Sequence, residues 1–236
     1  MIENKINLLV KEFIRIKKLE YVKGINNGNT SVSKTFEKLI GENKELVNYI
    51  NNNSITIKAK RSYSKAYITL FDMVPDSDGE ELIKISRNYG RGNLNVVKGE
   101  VSASKYTRIN GYYYFILRVD YDNEKVYLEI YDIYKNLLED NISWSFSELK
   151  KRLLKKLSVL VLVKAWPDKI GGVEYLKYYK MYIYFLREFN YFIEAIAEGI
   201  VKINIKISYD GKRLLSHKVS FVIKEEDLVN IFDLYR

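Results

Sequence analysis

The stretch from Asn51 to Arg61, NNNSITIKAKR, alternates apolar and polar residues in the period of a half-buried β-strand. Side chains two apart on a strand share a face, so Thr56, Lys58 and Lys60 line one side while Ile55, Ile57 and Ala59 line the other. Three asparagines stand ahead of the strand where a metal site would ask for carboxylates. Taken by themselves, these residues read as an amphipathic strand with a solvated basic face, entered through a polar turn.

Composition removes several other chemistries. The 236 residues include no cysteine, so disulfides, thiolate catalysis and thiolate-held zinc are excluded, which suits a reducing cytoplasm. His217 is the one histidine, so a multi-histidine metal site is impossible and a serine triad would have to be built around that residue. A net charge of +9 favours a polyanion, nucleic acid or an anionic surface, although a Lys-, Asn- and Ile-rich composition also follows from AT-rich coding. Charged residues interrupt the apolar stripe of MIENKINLLVKEFIRIKK, and LSVLVLVKAW is too short to span a bilayer. No membrane partner is expected, and cytoplasm is the default. The 21 tyrosines are expected half-buried on sheet faces, body inward and hydroxyl outward.

Helical spacing predicts an amphipathic helix over residues 3–20 and a short one across SKTFEKLIG, with the loop KGINNGNTS between them. Strands SITIKAKR and AYITLF follow, then a polar linker with Pro75. YYYFILRVDYDNEKVYLEIYDI is the clearest hairpin, turning at Asp122, Asn123 and Glu124. ELKKRLLKKL reads as a helix capped by Ser145 or Ser147, and the all-apolar run 158–163 as a central strand covered on both faces. A tyrosine-rich segment 174–185, a helix over FNYFIEAIAEG, strands INIKISYD and SHKVSFVI joined at Gly211 and Lys212, and a short helix at EEDLVNIF complete the chain. The fold class expected is α+β, a mixed sheet flanked by helices in a single domain over 1–236. No repeat or low-complexity linker divides it.

The order GNTSVSKTFEKLIG, INNNSITIKAKR, KAYITLF resembles the type II restriction endonucleases of the MvaI and BcnI group, relatives of the mismatch-repair nickase MutH. That group carries a run like GNTGxGKTFExLL, a PD-x-x-x-I-E-I-K strand and an S-L-x-T-L-F strand. The similarity continues through YFILRVDYDNEKVYLEIYD, NISWSFSELKKRLLKKL and SHKVSFVI, and so covers most of the chain in order. It implies a restriction-endonuclease-like fold, with a catalytic-like lobe over 1–165 and a DNA-recognition lobe with a C-terminal hairpin over 166–236. It also implies phosphodiester hydrolysis with Mg²⁺, in which carboxylates hold the ion and a lysine helps position or activate water.

Carried over residue by residue, Lys58 matches the motif lysine and Glu37 the glutamate of the preceding helix. The Asp position falls on Asn51 and the Glu position on Thr56, neither of which brings negative charge to a cation. Two family glycines are Ser31 and Ser33. Glu37 is then the candidate metal ligand, and an active variant would need Glu42 or Glu45 beside it. The resemblance also implies that Lys58, Lys60 and Arg61 face a DNA cleft, where they can meet phosphates. His217 aligns with a base-reading histidine, Lys206 with an arginine and Lys218 with the glycine that follows the histidine. Lysine at 206 lacks the guanidinium fork that recognises guanine. Lys212 and Arg213 at the hairpin turn are further DNA candidates. Arg87, Arg91 and Lys105 belong to a basic, glycine-containing segment, residues 84–108, expected to be flexible and able to wrap a duplex or to lie as a solvated loop.

Three functions follow: a duplex-DNA-binding member with a degenerate metal site; an active Mg²⁺-dependent endonuclease or nickase with displaced carboxylates; and a scaffold that binds another partner. A DNA methyltransferase or a catalytic partner in the same system would accompany the first two. The resemblance implies a monomer.

Overall fold

The computed structural model describes residues 2–28, 30–52, 54–76 and 80–235. Among these the order is α1 (Ile2–Lys17), β1 (Tyr21–Lys23), α2 (Ser31–Gly41), α3 (Lys44–Asn52), β2 (Ile55–Arg61), β3 (Ile68–Asp72), α4 (Glu80–Tyr89), β4 (Val97–Val101) and β5 (Thr107–Ile109). Then come β6 (Tyr113–Asp120), β7 (Lys125–Tyr131), β8 (Leu137–Ser145), α5 (Phe146–Leu157), β9 (Val159–Ile170), β10 (Val173–Leu186), α6 (Phe189–Ala197), β11 (Lys202–Tyr209), β12 (Leu214–Ile223) and β13 (Phe232–Leu234). The α+β class is as expected, but the strands form three sheets rather than one. No helix among the described residues is long and apolar enough to cross a membrane.

The chain divides into two compact units, each assembled from separated stretches. The first comprises Met1–Lys65, Lys155–Leu186 and Phe232–Arg236. Its sheet runs β1-β10-β9-β2, with β13 on β10, and only the β2–β9 pair is parallel. The apolar run that opens β9 lies between β10 and β2, and its residues are buried, as its composition requires. Ile55, Val159, Val161 and Val163 on one sheet face pack against Ile6, Leu9 and Phe13 of α1, Val32, Phe36 and Ile40 of α2, and Leu46 of α3. Tyr178 anchors this core: its hydroxyl donates to the Val32 carbonyl at 2.7 Å, and its ring lies 5.0 Å from that of Phe36.

Two expectations fail here for identifiable reasons. The first helix ends at Lys17 instead of 20 because Glu20 adopts a left-handed φ of 55° and Tyr21 enters the sheet beside β10. The asparagine run is not a turn leading into the strand. Asn51 and Asn52 close helix α3, and the chain then reverses at Ser54, φ 53°. Asn43 caps this helix by accepting the Leu46 N–H, and burial of Leu46 with packing of Val47 and Ile50 overrides the low helix propensity of asparagine.

The second unit comprises Ala66–Leu154 and Arg187–Ile231. One antiparallel sheet runs β3-β12-β11-β4 and another β5-β6-β7-β8. The two predicted hairpins, β6–β7 and β11–β12, are present. Trp144, Phe192 and Phe221 form an aromatic core, with Phe71 stacked on Phe221 at 5.0 Å. The segment 84–108, expected to be a flexible basic loop, is instead the end of α4, a bridge between Arg91 and Val96, and strands β4 and β5. Leu82, Ile85 and Tyr89 give α4 the buried stripe that fixes it. The expected closing helix is a single 3-10 turn, Leu228–Asn230, followed by β13.

Candidate nucleic-acid interface

Strand β2 is an edge strand whose side chains separate as the alternation requires. Ile55, Ile57 and Ala59 join the helix-covered core. On the opposite face Thr56 pairs in register with Leu160, Lys58 with Leu162 and Lys60 with Lys164. The Thr56 hydroxyl donates to the Lys156 carbonyl in the last turn of α5 at 2.5 Å, so its proton is already engaged. Asn51 lies in the last turn of α3, four residues ahead of the strand, and its side chain falls outside the described residues.

Glu37 is exposed on α2, its charge near enough, with that of Glu174, to add to the burial that pushes the Tyr178 hydroxyl above its usual range. Glu42 is held by Arg15 at 3.1 Å, and Glu45 is exposed in the first turn of α3. Among the described residues no group of three or more His, Asp or Glu side chains is placed to hold a metal.

Lys60, Lys164 and Lys180 occupy one row across β2, β9 and β10. Lys164 is buried, and Lys180 sits over the Tyr182 ring at 4.8 Å. The row was not visible in the sequence, because Lys164 ends an apolar run and Lys180 lies among tyrosines; only strand register brings them together.

Arg61 is turned to the chain itself. Its Nε and Nη2 donate to Glu174 Oε1 at 3.0 and 2.7 Å, and Nη2 also donates to the Gly28 carbonyl at 3.0 Å. Asn27 accepts the Glu174 N–H and donates to the Gly172 carbonyl, and the Gly24 N–H donates to the Glu174 carbonyl. The loop that resembles the family's GNT run is thereby fastened to β2 and β10.

In the second unit, Lys98 of β4, Lys206 of β11 and Lys218 of β12 form a second lysine row. All three are exposed, and Asp72 answers Lys218 at 3.5 Å. His217 pairs with Ile207 and so points to the other face of the sheet from Lys206. The structure therefore brings Lys206 and Lys218 together and sets His217 apart from them. Lys212 and Arg213 are exposed at the hairpin turn, where their backbone N–H groups both donate to Asp210 Oδ1 at 2.9 Å. These bonds, Arg213's first, hold the Asp210 carboxyl below the usual carboxylate range.

Arg87 donates to the Tyr209 hydroxyl at 2.6 Å, while Arg91 lies over the Tyr112 ring at 4.6 Å. Both arginines thus brace neighbouring tyrosines. Lys105 is exposed between β4 and β5.

The model of the MvaI/BcnI restriction endonuclease family matches residues 10–232. A solved structure described as restriction endonuclease MvaI in complex with cognate DNA substrate matches with a TM-score of 0.83 at 24% identity, covering 97% of this chain and 96% of that one. Restriction endonuclease MvaI in the absence of DNA matches with a TM-score of 0.66 at 24% identity, covering 98% and 96%. At that identity the likeness establishes the fold. No curated protein matches the chain.

Proposed function

The chain belongs to the MvaI/BcnI restriction endonuclease family, and from that premise we propose that it binds double-stranded DNA through a nuclease scaffold whose metal site is degenerate. The observation that carries the binding is the row Lys98–Lys206–Lys218. Like charges directly opposite on neighbouring strands destabilise a sheet, and a polyanion laid across them relieves that repulsion. Phosphates spaced along a duplex are such a polyanion.

Cleavage in the family calls for Mg²⁺ held by carboxylates. The residues at those positions do not fit that ion: Asn51 is neutral, and Thr56 is a hydroxyl donating to the Lys156 carbonyl. Lys58 keeps its place on the strand and Glu37 on its helix, but the neighbouring Glu42 is held by Arg15. Lys58 and Lys60 then serve as cations facing the phosphate backbone rather than as parts of a hydrolytic site. A cytoplasmic monomer acting on duplex DNA beside a methyltransferase or a catalytic partner is the setting that fits this reading.

The test is fluorescence anisotropy with duplex DNA across a salt series, run beside plasmid cleavage with Mg²⁺ and Mn²⁺. Binding that weakens steeply with salt, without cleavage, is expected. Cleavage that Lys58→Ala abolishes would return the protein to the active nucleases. Absence of any duplex binding at low salt would leave only a scaffold role.

A further inference from the structure

The arm formed by the distal halves of β9 and β10 carries an exposed aromatic surface. Strand β2 ends at the pair Arg61–Ala165, so from Trp166 onward β9 has lost that neighbour. The arm runs on to a tip at Gly171 and Gly172, whose left-handed φ values of 57° and 79° give the tight turn that matches strand twist. Trp166 is 48% exposed, and the Tyr179 ring lies on its indole at 5.1 Å with 27° between the planes. The β10 register shift between Tyr178 and Lys180 makes this possible, since the extra residue Tyr179 is free to turn onto Trp166. Alternation puts Trp166 on the same face as Lys164, and thus beside the row that includes Lys60 and Lys180. Lys180 is exposed immediately after Tyr179, whereas Lys169, three residues on from Trp166, lies on the other face of the arm.

We propose that the Trp166–Tyr179 stack is a platform for an unpaired nucleobase, with Lys180 on the adjoining phosphate, so that the protein holds a single-stranded segment as well as a duplex. This rests on the DNA-binding reading above. An exposed indole already backed by a second ring presents one flat apolar face, and every base has a matching face that it hides while paired in a duplex. Cations beside an aromatic face meet the two chemical halves of a nucleotide at once. An apolar protein partner would leave Lys180 unanswered.

The two tryptophans make the proposal directly measurable. Trp144 is fully buried, and its indole N–H donates to the Met73 carbonyl, so its emission is a constant background. Trp166 alone faces solvent. Oligothymidylate added to the full chain should quench tryptophan emission, and Trp166→Phe should remove the quenching while leaving the Trp144 signal.

Trp166→Ala should weaken single-strand binding about tenfold, the scale of one lost base stack, with blunt-duplex anisotropy unchanged. Lys180→Ala should lower the slope of log affinity against log salt for the single strand by about 0.7. Duplex binding without quenching by oligothymidylate would overturn this proposal and leave the duplex reading standing. Equal quenching by blunt duplex would place the stack on paired DNA and overturn the assignment to unpaired bases. No anisotropy change with either DNA would defeat both.

Discussion

Arg61 and Glu174 lie 113 positions apart in the sequence, and both Nε and Nη2 of the guanidinium converge on one carboxylate oxygen, Oε1, at 3.0 and 2.7 Å. Both side chains are largely withdrawn from water, Glu174 more than Arg61. The pair ties the last residue of the strand bearing Lys58 to the second residue of β10, and Arg61 reaches on to the Gly28 carbonyl. An arginine that sequence places among phosphate contacts therefore serves the scaffold that presents Lys58 and Lys60.

Removing one partner leaves a buried charge without its counterion, which costs about 3–5 kcal/mol in comparable pairs. Arg61→Ala should fall in that range by urea unfolding, because it strands the more deeply buried Glu174 carboxylate, and Glu174→Ala should cost less because Arg61 is nearer to water and keeps the Gly28 carbonyl. The double variant Arg61→Met, Glu174→Leu should recover much of the loss. If both single variants unfold like the parent protein, the pair carries no structural weight and Arg61 returns to the candidate phosphate contacts.

Much of this scaffold was legible because its signals are local. The β6–β7 hairpin, the central run of β9 and the stripe of α2 each declare themselves within about ten residues through periodicity. What stayed hidden depends on partners far along the chain. Asn51 looks like a turn residue until Leu46 is seen to be buried in the core. The alternation of β8 is broken by register shifts at Leu128/Ile130 and Ile130/Tyr131 on its partner β7. Arg61 cannot be assigned without Glu174, nor His217 without knowing that its strand partner is Ile207. Of the candidate site, the motif lysine and its strand face could be read directly, but the lysine rows emerge only from register.

The row Lys98–Lys206–Lys218 gives a prediction that separates the two faces of its sheet. Lys206→Ala and Lys218→Ala should each weaken duplex binding at low salt and reduce the salt slope by about 0.9. His217→Ala, on the other face, should change neither quantity. Anisotropy titrations over a salt series check this; a large effect of His217→Ala with none from the lysines would invert the assignment of the reading face.

The β6–β7 turn should be acid-sensitive. Asp120 accepts the Asn123 backbone N–H at 3.0 Å, and that bond, with Asn123's amide and Arg118 adding to it, holds its pKa down to about 2. A carboxylate whose folded pKa is depressed stabilises the fold fully above its ordinary unfolded value near 4. That contribution is lost as pH falls from about 4 through about 2. Protection of the Asn123 amide, taken relative to its intrinsic exchange rate at each pH, should therefore fall over this interval in the parent protein, while Asp120→Asn should show little protection at any pH. A flat profile in the parent protein would show that the carboxylate does not hold the turn.

Restoring acids at positions 51 and 56 asks whether degeneration stopped at the metal. Asn51→Asp with Thr56→Glu returns two carboxylates to the strand and helix end that flank Lys58, and Thr56→Glu also removes the hydroxyl that donates to Lys156. Two anionic oxygens supply the charge that offsets dehydration of Mg²⁺. Calorimetry should detect Mg²⁺ binding in the double variant and less or none in either single variant, because one carboxylate alone holds this ion weakly. Asn51→Asp alone matching the double variant would mean that position 56 was never an ion position. If the double variant gains no metal affinity while keeping the parent's unfolding midpoint, the alignment of Asn51 with the family's acid is wrong.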